Sequence, residues 1–135
     1  MATLKISDIS VGDWVYYDKG DTPYSIRSID RTCRQDCVVL NDSVFPEGVI
    51  GFVEDLRPIP ITAEVLEKNG FERSTSQFIV YHSDKVWISY DKPSETWSVT
   101  MYINDFTSNL HANILHIHQF QHALRLAGVD KEINL

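Results

Sequence analysis

No apolar run in the chain approaches the roughly 18–20 residues that span a bilayer as a helix, and Met1-Ala2-Thr3-Leu4-Lys5 leads straight into polar sequence without a signal-peptide core. A cytosolic protein is the expectation. Cysteine is scarce: Cys33 and Cys37 are the only two, and their spacing matches neither a redox pair nor a zinc-ribbon knuckle. Two reduced structural thiols are expected there. Basic charge is also short, with 12 Lys and Arg against 19 Asp and Glu for a net charge of -7. Such a field repels phosphate backbones, so broad nucleic-acid binding is disfavoured. Gly-rich phosphate loops and GxSxG elbows are missing, as are internal repeats, low-complexity tracts and Gly/Ser linkers.

What the 135 residues do contain is globular: 43% hydrophobic and 11% aromatic side chains provide the surface for a core. That length suits one ordinary domain or two very small ones. Residues 1–60 read as a small β-barrel. Trp14-Val15-Tyr16-Tyr17 is a strand after the Gly12-Asp13 turn. Tyr24 to Ile29 alternates with period two, which places Tyr24, Ile26 and Ser28 on one side. Cys37 to Leu40, Val49 to Val53 and Leu56 to Ile61 supply three more strands, the last confined to an edge by its prolines. Five short strands, with an acidic Glu54-Asp55 link before the last, resemble the SH3-like barrel class. Fold of this kind carries no function with it.

At Ile61 the grammar becomes helical. Thr62 is a good N-cap and Asn69-Gly70 a terminator, which predicts a helix over 63–69. Three strands follow, around Gln77 to His82, Lys85 to Tyr90 and Thr96 to Ile103, separated by turns short enough to demand an antiparallel meander. A second helix is predicted from Ala112 to Ala127, with Ile117, Phe120, Leu124 and Ala127 as its apolar stripe and Gly128 as its cap. The expected architecture is α+β: an SH3-like barrel over 1–60 packed on an α-β-β-β-α unit over 61–135.

Histidine is the densest chemical signal, since His111, His116, His118 and His122 fall within twelve residues. On a helix, His118 and His122 share a face at the spacing by which two imidazoles chelate a metal. The residue after His118 is Gln119, however, where a metalloprotease helix carries its general-base Glu. A third ligand would have to come from His82, His111, Asp105 or a cysteine. Leu115 and Leu126 flank the pair, which makes packing imidazoles the simpler reading. In period-two strands half the aromatics face outward, and exposed Trp or Tyr commonly anchors a partner. The candidate binding residues are therefore Trp14, Tyr16, Trp87, Trp97, His118 and His122. Helix-strand-strand-strand-helix order also occurs in double-stranded-RNA-binding domains, but Asp105 to His116 lacks any Lys or Arg to grip phosphates.

Arg57-Pro58-Ile59-Pro60-Ile61-Thr62 through Glu67-Lys68-Asn69-Gly70-Phe71, and Ile117-His118-Gln119-Phe120-Gln121 through Ala127-Gly128 to Glu132-Ile133, carry a resemblance over patches of roughly the final 80 residues. They resemble a PIPLT-x-LxxNGF segment and an IHQLQNLYxxLTG-xEL ending found in small uncharacterised proteins of gut-bacterial phages, prophages and mobile elements. The resemblance implies a phage- or element-borne gene acting in a bacterial host cell. His122 departs from it, standing where an Asn- or Tyr-like residue is expected. The leading expectation is a non-enzymatic interaction protein, an accessory factor or an inhibitor of a host defence protein, that binds a host or phage protein. Second stands a small-molecule or nucleotide-binding protein, and third a metal-dependent enzyme using the C-terminal histidines. No catalytic residue, metal ligand or cofactor is assigned.

Overall fold

Two sets of short antiparallel strands, each rich in β-branched and aromatic residues, build most of the protein, with two α-helices among the described residues. The computed structural model describes residues 4–31, 34–74, 77–83, 86–103, 106–126, 128–129 and 131–135, without side chains over 102–112. The chain divides into two compact units, Met1–Ile59 and Pro60–Leu135.

In the first unit, β1 (Trp14–Tyr17), β2 (Pro23–Asp30), β3 (Cys37–Leu40), β4 (Val49–Phe52) and β5 (Leu56–Pro58) form one antiparallel sheet in the order β4-β3-β2-β1-β5. Its core collects Val15, Ile26, Val38, Leu40, Val53 and Leu56, with Tyr17, Tyr24 and Ile29 packed against it. The expected alternation along β2 fails after Ile26. A register shift between Ile26 and Ser28 moves the strand by one phase, so Ile29 takes the inward place expected of Ser28. Ahead of β1, Asp13 is fully buried, and its carboxylate accepts from the Ser10 N–H at 2.8 Å. β5 stops at Pro58, three residues short of the expected Ile61.

This sheet curls strongly. β1 and β4 are separated by two strands, so in a flat sheet they would lie roughly 14 Å apart at about 4.8 Å per step. Yet a Cβ added to Gly51 of β4 would fall 2.6 Å from a ring carbon of Tyr17 in β1. Among the described residues no ladder joins β4 to β5; the observation is an open, curled five-stranded sheet.

The second unit is larger than the expected three-stranded meander. Its sheet runs β10-β9-β8-β7-β6, from β6 (Glu72–Arg73), β7 (Ile79–Ser83), β8 (Val86–Asp91), β9 (Thr96–Ile103) and β10 (Phe106–Ile114). Helix α1 (Ala63–Lys68) starts as expected, with the Thr62 hydroxyl accepting from the Val65 N–H at 3.3 Å. It ends in a Schellman turn at Gly70, φ 84°, where Phe71 N–H bonds the Leu66 carbonyl and Gly70 N–H the Glu67 carbonyl. Helix α2 (Ile117–Leu126) closes in the same way at Gly128, through Val129 N–H to Leu124 and Gly128 N–H to Arg125.

The start of α2 is a correction: Ala112 to Ile114 belong to β10, not to the helix. Asn113 holds φ at 60°, a left-handed conformation that interrupts any helix continued through it. At Ile117 the helix begins under a side-chain cap, since Gln119 Oε1 accepts from both the Leu115 N–H (2.9 Å) and the His116 N–H (3.0 Å). Ile117, Phe120 and Leu124 are buried as the apolar stripe predicts, and Phe120 meets Phe71 at 5.5 Å between centroids. Ala127 lies outside the described residues. No helix among them is long and apolar enough to cross a membrane.

Candidate functional site

Alternation in β1 decides which aromatics are available. Val15 is inward and fully buried, so its neighbours Trp14 and Tyr16 are turned to the other face, where each is half-buried. Register then assembles a patch around them. Trp14 stands opposite Ser25 of β2, and Tyr16 stands between Pro23 of β2 and Arg57 of β5. The Arg57 guanidinium lies 5.3 Å from the Tyr16 ring centroid, a cation–π arrangement. Its Nε donates to the Asp18 carbonyl at 2.6 Å and its Nη2 to the Gly20 carbonyl. The Asp21 carboxylate is 3.9 Å away but almost wholly solvated, so this ion pair adds little. Arg57 thus ties the turn after β1 across the Tyr16 ring and holds it still before any partner arrives, which lowers the ordering cost of binding.

A second outward patch lies on the other sheet. β7 pairs His82 with Trp87 of β8, and their rings stack at 4.7 Å with 30° between planes. Trp87 also stands opposite Thr100, and Ser89 opposite Ser98, so one face carries an indole, an imidazole and three hydroxyls. All five side chains are half-buried.

Trp97 leaves the candidate set. It pairs with Tyr90 on the opposite face, which also holds Ile88 and Val99, and is 8% exposed. Its ring contacts are internal, to Tyr90 at 5.0 Å and Tyr81 at 6.3 Å. The Arg73 guanidinium lies over the Tyr81 ring, 5.8 Å from its centroid.

The α2 histidines form a row of neighbouring rings. His118 is 5% exposed, with His116 near-parallel to it at 5.8 Å and His122 edge-on at 5.8 Å. Burial alone pushes the His116 imidazole below its usual value of 6.5, because desolvation disfavours the cation. Among the described residues no group of three or more His, Cys, Asp or Glu is placed to hold a metal ion. Of the other ligands the sequence offers, His82 is stacked on Trp87 and Cys37 is buried in β3, while Cys33, Asp105 and the side chain of His111 lie outside the described residues.

Sequence reasoning missed Arg57 and His82 as partners of the outward aromatics, because only strand register brings them together. For His82 a signal existed: a two-residue connection between Ser83 and Val86 sets it opposite Trp87, whereas a turn at Ser83-Asp84 would have set Val80 there. Compared with protein-family profiles, with curated proteins and with solved structures, the chain finds no match.

Proposed function

We propose that this protein is a non-enzymatic interaction module that binds another protein through its outward aromatic face on β1. The observation that carries the reading is the outward pair Trp14 and Tyr16, with Arg57 laid over the Tyr16 ring and bonded to the turn after β1, since aromatic anchors on rigid strands bind with little loss of side-chain freedom. The proposal includes an SH3-like barrel for the first unit, supported by five short strands, the 3-10 turn over Val53–Asp55 before the last, and the curl that brings Tyr17 over Gly51. It also includes the setting implied by the family resemblance: a phage- or element-borne gene whose product works in the bacterial cytoplasm as an accessory factor or as an inhibitor of a host defence protein.

The test is capture from bacterial lysate with the wild type and with Trp14→Ala and Tyr16→Ala. A partner retained at least tenfold less by both variants supports the module; identical retention, or no specific partner, refutes it. The His82–Trp87 stack beside Ser89, Ser98 and Thr100 favours a second reading, a small-molecule or nucleotide ligand laid on the indole. Thermal shift separates the two, because a ligand at 100 times its dissociation constant adds about 2.7 kcal/mol of stability.

A further inference from the structure

Four strands end the two sheets, and three of them carry features that discourage a further strand. β5 is three residues long and contains Pro58, which has no N–H to offer. β6 consists of two charged residues, Glu72 and Arg73. β10 leaves register twice, between Asn109 and His111 and between His111 and Ile114. β4 has no such guard: Val49-Ile50-Gly51-Phe52 pairs with β3 in unbroken register and contains neither charge nor proline.

This edge is also apolar and firmly held. Ile50 is 71% and Phe52 44% exposed, and the connection from β3 adds Val44 and Phe45, both exposed. From inside, the Tyr17 ring occupies the space over Gly51. At Gly48, φ 86°, an added Cβ would meet the Leu40 carbonyl and a Val39 methyl at 2.7 Å, so the backbone entering β4 sits tightly against β3.

Charge indicates what would pair there. Asp42 and Glu47 lie in the connection before β4 and Glu54 just beyond it, while Asp36 is brought to that far end by the bond from Val53 N–H to its carbonyl at 3.0 Å. With Asp30 and Asp55 also at the far end, acids outnumber the nearby cations, Arg31, Arg34 and Arg27, whose Nε donates to the Asn41 amide oxygen at 2.6 Å. A second copy docked edge to edge would set acidic rim against acidic rim.

We propose that the β4 edge takes up an extended segment of a partner protein as a sixth strand, and that this segment is apolar at alternate positions and bears lysine or arginine between them. Main-chain hydrogen bonds would supply affinity, with Ile50, Phe52 and the acidic rim supplying selectivity. The inference rests on the interaction-module reading for the kind of partner, but it uses a different strand.

The probe is a capped Lys-Val-Lys-Ile-Lys-Val-Lys peptide, compared with its all-glutamate counterpart and with a version N-methylated at the central isoleucine. Amide resonances and hydrogen exchange are followed in the full chain. Expected are shifts and at least tenfold slower exchange within Val49–Phe52. Binding should weaken at least tenfold for the glutamate peptide, the N-methylated peptide and the Ile50→Lys protein, whose circular dichroism should match the wild type because residue 50 is exposed. Unshifted β4 amides, equal binding of lysine and glutamate peptides, or undiminished binding by Ile50→Lys would overturn the proposal. So would dimerisation on sedimentation that Ile50→Lys abolishes, since that assigns the edge to a second copy. A lysate partner still lost in Trp14→Ala while the peptide fails would remove this inference alone and leave the module reading standing.

Discussion

Gln119 shows how much one side chain decides. A single amide oxygen satisfies two backbone N–H groups at the mouth of α2, at Leu115 and His116, and thereby fixes where the helix starts. Gln119→Ala removes that acceptor and is expected to cost about 1 kcal/mol, while Gln119→Glu keeps it and adds a favourable charge at the helix N-terminus. Urea denaturation of both variants checks the contrast: a lower midpoint for Ala with Glu near wild type is the expected result. Gly48 is the other position where a small change is large. At φ 86° with the Leu40 carbonyl and a Val39 methyl 2.7 Å from any added Cβ, Gly48→Ala should destabilise by about 1–3 kcal/mol. The same measurement reads it, and a wild-type midpoint would contradict the geometry.

Among the elements, α1 also anchors the carboxyl end. The Asn69 amide nitrogen donates to the Asn134 carbonyl at 2.9 Å and its oxygen accepts from the Asn134 N–H at 2.7 Å, imitating a strand partner; Ile133 is buried beside this clasp and the Lys131 ammonium sits over Phe71 at 5.2 Å. Asn69→Ala should raise hydrogen exchange at Asn134 by at least tenfold and lower stability by about 1–2 kcal/mol, a loss of paired amide bonds. Unchanged exchange at Asn134 would show that the Asn69 clasp does not hold the segment. What was legible in the residues follows the range of the forces involved. Thr62, Gly70 and Gly128 announce helix ends because capping is settled within a few residues, and the stripe of Ile117, Phe120 and Leu124 because a helix repeats locally. The displaced phase after Ile26, the added strand β10 and the inward turn of Trp97 were hidden, since each depends on which distant strand lies alongside. The outward site was half legible for the same reason: Trp14 and Tyr16 follow from alternation, but Arg57 reaches Tyr16 only through the β1–β5 ladder.

At the scale of the whole molecule, two of the described groups make stability depend on pH. Burial holds the His116 imidazole below its unfolded value of 6.5, so its contribution is intact above that pH and is lost as pH falls toward its folded value, where the unfolded chain binds the proton first. Tyr17 is raised above its usual 10.0, first by burial and then by the charges of Asp55 and Asp18. Its contribution is intact below pH 10 and lost as pH climbs toward its folded value. Thermal midpoints should therefore fall on both sides of a plateau, with His116→Asn flattening the acid shoulder and Tyr17→Phe the alkaline one; shoulders unmoved by these variants would place the titration elsewhere. The stacked pair of His82 and Trp87 has an optical consequence. A ring stacked on an indole shapes its emission, so a molecule prying the two apart would announce itself as a change in light.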